Sequence, residues 1–258
     1  MTIHIYSDSF GVNYGSGTWP FELGKLRKQK TICYGKGGTG PNWSLKKLIT
    51  NLEDPLLFKP QDTIIVLLSD QKRMEFPWLK EAHHADGMFL IAEENRSTKE
   101  KERKRHWGGE QYKIYKSEIK TVANTLGPMY LYENVKNITF LHLISKMFKD
   151  YKFLVFTCFS LDNFTSNYKN FNIESTKLLH DLTFEPLKSP NFYYCPVPIS
   201  HMVGKNKDHE SIHNHMTNEQ NGNFALLCDA ILNNKEPDIS WFVPHTYYSI
   251  YSSGFIYE

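Results

Sequence analysis

The run Asp62-Thr63-Ile64-Ile65-Val66-Leu67-Leu68 constrains the fold more than any other stretch of this chain. It is apolar without a break from Ile64, rich in β-branched residues, and of strand length rather than helix length. A strand with no polar side to turn towards water has to be covered on both faces, which is the situation of a central strand in a parallel sheet. Parallel strands need crossover connections, usually helices, so the rest of the chain should alternate strand with helix.

The flanking sequence follows that alternation. Ile3-His4-Ile5-Tyr6 is a short alternating run that ends abruptly in Ser7-Asp8-Ser9-Phe10-Gly11. Trp19 to Leu26 has the spacing of a short helix, and Thr31 to Tyr34 reads as a second strand. It leads into Gly35-Lys36-Gly37-Gly38-Thr39-Gly40-Pro41, whose glycines allow positive φ or close backbone approach. Asn42 to Leu52 reads as a helix with Trp43, Leu45, Leu48 and Ile49 towards the core. Tyr132 to Phe148 carries a wide apolar face formed by Val135, Ile138, Leu141, Ile144 and Phe148, with Phe140, Leu143 and Met147 beside them. Tyr151 to Phe159 and Phe192 to Val197 are further strands, and Asn218 to Leu232 is a last helix with Thr217 as its N-cap. The pattern predicts one α/β domain over residues 1–258, a three-layer α/β/α sandwich on a mainly parallel central sheet. Two stretches stand apart: an irregular charged insertion at about 76–128 and an aromatic tail at 239–258, suited to pack over the domain or to join a homo-oligomer.

Composition removes several classes of function. A length of 258 residues with 40% hydrophobic and 14% aromatic content supports a real core. The formal net charge of +2 favours no polyanionic partner. Within the insertion, Lys99 to Arg105 is dense in cations, but Glu100 and Glu102 cancel much of what phosphates would need, which argues against nucleic acid. No stretch approaches the roughly 18 apolar residues of a membrane span, so no membrane partner is expected. Met1 leads into a strand with no signal-peptide pattern, which points to the cytoplasm, or to a virion if the chain is phage-encoded. Cys33, Cys158, Cys195 and Cys228 show no Cys-x-x-Cys spacing and lie in or beside apolar segments, as buried free thiols do. His83-His84 with Asp86 is better read as a surface loop than a metal site, and no cofactor is expected. The contiguous His213-Asn214-His215 lacks the spacing of the HNH nucleases. Formal glycosylation sequons at Asn42, Asn95, Asn137 and Asn163 are chance matches without an export signal.

Three blocks resemble the SGNH (GDSL-type) hydrolases. The order Asp8-Ser9 after the first strand resembles the nucleophile block, with Ser7 where the family usually has glycine. Gly37-Gly38-Thr39 after the second strand is similar to the second block, a glycine followed by a small hydroxyl residue. His215-Met216-Thr217, with Ala225 in the helix beyond, resembles the last block. The resemblance implies a flavodoxin-like fold in which Ser9 is the nucleophile and His215 the general base. Ser9 N–H and Gly37 N–H would be the oxyanion donors, with Ser69 as a third. It implies hydrolysis of a small ester, such as an O-acetyl group on a carbohydrate, through an acyl-enzyme.

The chain departs from the family at two places. The third block should end Gly-x-Asn-Asp, and here the strand ends Leu67-Leu68-Ser69-Asp70. Arg73, Glu75 and Phe76 then resemble, loosely, a Ser-x-x-Arg-x-Glu stretch of SGNH-like proteins of tailed phages. The aspartate expected three residues before the histidine is Ile212, which leaves Asp208 or Glu210 to orient His215; His213 has Glu210 three residues before it, but only the His215 register puts Met216, Thr217 and Ala225 on the pattern. These departures support an alternative, a binding or structural protein that keeps the fold without catalysis. A nucleic-acid-associated protein using the basic insertion is a third reading, marked by binding that falls steeply with salt.

Overall fold

The computed structural model describes residues 1–13, 15–36, 39–69, 129–158, 187–199 and 216–240; for Ser9 and residues 129–131 it describes the backbone alone. Among these residues a six-stranded sheet is built from β1 (Thr2–Tyr6), β2 (Lys30–Cys33), β3 (Thr63–Leu68), β4 (Lys152–Thr157), β5 (Leu187–Ser189) and β6 (Phe192–Cys195). Its order is β2-β1-β3-β4-β6-β5. Every neighbouring pair is parallel except β5 with β6. Among the described residues four α-helices accompany it: α1 (Trp19–Arg27), α2 (Pro41–Leu52), α3 (Met129–Met147) and α4 (Asn218–Leu232).

The alternation of side chains along the strands sorts the core into two clusters. Ile3, Ile5, Ile65, Leu67, Leu154 and Phe156 pack with Trp19 and Leu23 of α1 and with Phe224, Leu227 and Ile231 of α4. Tyr6, Ile64, Val66, Leu68, Phe153 and Val155 pack with Leu45 and Leu48 of α2 and with Ile138, Leu141 and Ile144 of α3. Successive residues of a strand point to opposite faces, so the two clusters lie on opposite sides of the sheet. That arrangement is compatible with three layers. All six residues of β3 are buried, as its unbroken apolar run demands.

Helix ends are closed by specific side chains. Thr217 accepts the Gln220 N–H while Gln220 Oε1 accepts the Thr217 N–H, a capping box at the start of α4. Lys152 Nζ donates to the Leu232 carbonyl at the other end of α4 (3.0 Å), where a cation also suits the helix dipole. Asn191, in the turn between β5 and β6, directs its amide nitrogen at the Ser145 carbonyl in the last turn of α3 and at the Phe148 and Tyr151 carbonyls beyond it. That turn explains β5, which the sequence reading missed. Leu187-Lys188-Ser189 has only one large apolar residue, and its strand character comes from pairing with β6 across Pro190 and Asn191.

Not every apolar residue expected in the core lies there. Ile49 on α2 is exposed, because Ser44 and Asn51 take inward positions and Asn51 Nδ2 donates to Tyr6 Oη (2.9 Å). On α3, Phe140, Leu143 and Met147 lie outside the buried stripe, with Met147 78% exposed. A helix packing on a sheet buries one stripe, and Ile138, Leu141 and Ile144 already occupy it.

A buried polar group also lies on β1. His4 of β1 is 1% exposed, with Nε2 3.4 Å from Asp62 Oδ2 and Nδ1 3.4 Å from Tyr34 Oη. Its ring packs against Phe58 at 4.4 Å. Asp62 also accepts the Thr2 and Lys59 amide protons, tying the starts of β1 and β3 together. Burial lowers the His4 pKa from 6.5, and Lys30 adds to the effect, while the hydrogen bond and the charge of Asp62 oppose it. A folded-state pKa below the unfolded value means that the unfolded chain takes up the proton first as pH falls. Stability from this residue is therefore complete above pH 6.5 and declines as pH drops towards the lowered value. Denaturant unfolding between about pH 7.5 and about pH 5.5 should show that loss, and His4→Gln should flatten it. An unchanged slope in the variant would assign the acid sensitivity elsewhere.

Candidate active site at the carboxyl edge of the sheet

Strand order reverses between β1 and β3: the chain leaves β1 for β2 on one side and returns across it to β3 on the other. In open parallel sheets the crevice at the carboxyl ends of those two strands is where ligands bind. Asp8, two residues past β1, and Ser69, directly after β3, lie at this point, and both are buried, Asp8 at 0% exposure.

The turn after β1 is built around the Asp8 carboxylate. Oδ1 accepts the Phe10 N–H at 3.0 Å, which closes a short ring over the intervening Ser9 peptide. Cys158 Sγ, just past β4, lies 3.9 Å from the same oxygen. Oδ2 accepts the Ser69 hydroxyl at 2.6 Å. Backbone continues into a single 3₁₀ turn, Ser9–Gly11, with Gly11 N–H directed at the Asp8 carbonyl (3.4 Å). One carboxylate thus joins the ends of three strands.

Two glycines let this turn sit where it does. A Cβ on Gly11 would meet Ser7 Oγ at 2.1 Å. One on Gly35 would meet the Asp8 carbonyl, Ser7 Oγ and Val12 at 2.9 Å each. Ser7 is fully buried and donates to the Asp8 carbonyl (2.8 Å), so its hydroxyl occupies the space that Gly11 leaves. The loop after β2 runs alongside, with Lys36 N–H directed at the Ser7 carbonyl (3.3 Å) and Thr39 Oγ1 donating to the Lys36 carbonyl (2.7 Å).

The N-terminus of α4 reaches the same edge. Asn221 Oδ1 accepts the Trp19 N–H (2.9 Å), while its amide nitrogen donates to the Met216 and Thr217 carbonyls. Trp19 Nε1 in turn donates to the Phe10 carbonyl at 2.6 Å. Met216 is buried in the cluster that holds Phe10, Cys158 and Ile199. A chain of hydrogen bonds therefore runs from the turn carrying Ser9, through α1, to the residue that follows His215.

The residues proposed from sequence fall into two groups. Asp8, Ser69 and the Ser9 backbone are brought together at this edge. Gly37, His215, Asp208, Glu210 and Asp70 lie outside the described residues, as do Arg73, Glu75, Phe76, the insertion at 76–128 with its 99–105 charge run, His83, His84, Asp86, and the tail beyond 240. Ser69, the candidate third oxyanion donor, directs its hydroxyl at Asp8 Oδ2 and so links the ends of β1 and β3. Cys158 was not anticipated here; its position directly after a buried strand was the only signal.

The cysteines are free, with Cys158, Cys195 and Cys228 buried and Cys33 half-buried. Burial is the main cause that pushes Cys33 to about 12, Cys195 to about 11 and Cys228 well above the usual thiol value, so these three do not supply a thiolate at neutral pH. Among the described residues no group of three or more histidine, cysteine, aspartate or glutamate side chains could hold a metal ion. No described helix is long and apolar enough to cross a membrane. Comparison of the chain with protein-family models, with curated proteins and with solved structures returned no match.

Proposed function

We propose that the chain is an SGNH-type serine ester hydrolase with a flavodoxin-like fold, acting on a small ester such as an O-acetyl group of a carbohydrate. The observation that carries this reading is the placement of the Asp8-Ser9 turn at the strand-order reversal, with its peptide wrapped by the Asp8 carboxylate. A parallel strand delivers a serine to a ligand-binding edge, and the local geometry fixes the backbone that presents it. The start of α4, three residues beyond His215, is tied to the same edge through Asn221 and Trp19.

In the proposed reaction Ser9 Oγ attacks the ester carbonyl and gives its proton to His215. Charge on the former carbonyl oxygen is met by the N–H groups of Ser9 and Gly37. The tetrahedral species collapses, the C–O bond to the alcohol breaks, and His215 returns the proton to the departing oxygen. Water, deprotonated by the same imidazole, then cleaves the acyl-enzyme and regenerates Ser9. Asp208 or Glu210 would orient His215, and no metal or cofactor takes part.

A second reading keeps the fold and drops the chemistry, leaving a binding or structural protein. The commitment of the Ser69 proton to Asp8 favours it, because a donor expected in the third block is then missing.

Labelling separates the two. A fluorophosphonate probe should add one phosphonyl group to the peptide containing Ser9, and Ser9→Ala should abolish the adduct while the circular dichroism spectrum stays unchanged. Absence of labelling in the folded wild-type protein would sink the hydrolase reading.

A further inference from the structure

We infer that Ser69 and Asp8 form a positioning pair that holds the turn carrying Ser9, with Ser69 acting through Asp8 and not on substrate. The kinetic consequence of that pairing rests on the hydrolase reading above; the structural consequence stands on geometry alone.

The two oxygens of Asp8 do different work. Oδ1 reaches over Ser9 to the Phe10 N–H, and Oδ2 reaches across the sheet to Ser69, 61 residues away in sequence. A hydrogen-bonded ring of this type restricts the φ and ψ of the residue inside it only while the side chain that closes it is itself held. Asp8 has two rotatable side-chain bonds. The 2.6 Å hydrogen bond from Ser69 fixes them from β3, an element that is buried along its whole length. Fixing the carboxylate fixes the ring, and fixing the ring sets the direction of the Ser9 N–H.

The packing around the turn explains why the brace matters at this position. Gly11 and Gly35 both lie against the Ser7 side chain, and Gly35 also against the Asp8 carbonyl, so closely that no side chain fits at either glycine. Small shifts of the turn are therefore transmitted, since close-packed surroundings do not absorb them. The choice of residue 69 follows from the same geometry. The site is 3% exposed, so alanine would leave a gap where the hydroxyl reaches Asp8.

The test has two readouts on the full chain, hydrolysis of p-nitrophenyl acetate and hydrogen exchange of the Phe10 amide. Ser69→Ala should lower kcat by ~10- to 100-fold, the scale of a roughly 1 Å misplacement, with KM changed by less than about twofold. Phe10 amide exchange in the same variant should rise by about tenfold, the loss expected for one hydrogen bond's support. Ser69→Thr keeps the hydroxyl and should restore both. If Ser69→Ala does not fold, Ser69→Cys keeps the volume with a weaker donor and should show the same changes at smaller amplitude. Wild-type kcat retained in Ser69→Ala, or Phe10 exchange unchanged in a folded Ser69→Ala or Ser69→Cys protein, would overturn the pairing. Should the wild-type protein hydrolyse nothing, the hydrolase reading fails by itself, and faster Phe10 exchange that is reversed in Ser69→Thr still supports the brace.

Discussion

Phe224→Ala is expected to lower the unfolding free energy by about 3–5 kcal/mol. Phe224 is fully buried on α4 and is the ring through which that helix meets both the sheet and α1. Its centroid lies 5.0 Å from Trp19 in an edge-to-face arrangement (85°) and 5.0 Å from Phe156 (68°). Truncation removes both pairings and leaves a void between elements anchored elsewhere. Arg27 holds Asp229 (3.0 Å) and Asn233 (2.8 Å) at the far end of α1 and α4, and Asn221 holds the near end. Helices pinned at both ends cannot close over the gap, so the cost belongs in the upper part of the range. Domains are stable by only about 5–15 kcal/mol, so the variant retains a fraction of its stability and melts roughly 6–20 °C lower. Leu226→Ala is the control. Leu226 lies on the same helix but is 52% exposed, and its removal should change stability by no more than about 0.5 kcal/mol. Equal losses in the two variants, measured by denaturant titration, would mean that α4 is stabilised by its own propensity and not by this contact.

The contrast between Phe224 and Leu226 also marks the boundary of what sequence pattern can deliver. An apolar run such as Ile64 to Leu68 identifies its own burial, because a strand that is hydrophobic on both sides has only one stable environment. Alternating helices and strands then imply parallel pairing, and the observed sheet has that pairing for β1, β2, β3, β4 and β6. The Thr217 cap was legible for a similar reason, since Thr217 and Gln220 satisfy backbone groups within one turn of each other. What pattern does not contain is the width of the partner surface. Leu143 and Met147 have the composition of core residues and are exposed because the sheet covers one stripe of α3 and no more. Strand β5 was hidden in the complementary way, since its pairing is supplied by β6 and by the turn at Asn191.

The candidate site shows the same division. Asp8 and Ser9 stood out because a strand ended in small polar residues. The direction of the Asp8 side chain was not legible, because its partners Ser69 and Cys158 are 61 and 150 positions away in sequence. The sheet brings them together, and only the register of β1, β3 and β4 says which residues meet. His4 is a further case. A histidine in an alternating strand reads as a half-exposed polar residue, whereas Asp62 and Tyr34, both remote from it in sequence, allow it to be buried.

Ser9→Ala and His215→Ala should each slow hydrolysis of p-nitrophenyl acetate by about 10³–10⁴-fold, and the double variant should be no slower than either alone. The magnitude follows from two opposing effects. In serine hydrolases with a complete set of groups, removal of the nucleophile costs on the order of 10⁶ in kcat, because the residual rate comes from binding and the oxyanion hole alone. On the hydrolase reading, a Ser69 proton directed at Asp8 is one oxyanion donor fewer, which would lower the wild-type rate itself by about 10²–10³. The difference between a weakened enzyme and its background is correspondingly smaller. Non-additivity carries the mechanistic content. A serine and the imidazole that takes its proton act in one step, so once either is gone the other has nothing left to contribute. Multiplied losses in the double variant would mean that the two residues act in separate steps, and the Ser9–His215 pairing would have to be abandoned even if each single variant were slow. A rate indifferent to Ser9→Ala, with Asp8 and Ser69 still bracing the turn, would instead leave a doubly wound sheet whose reversal point is built to hold a ligand without cleaving it.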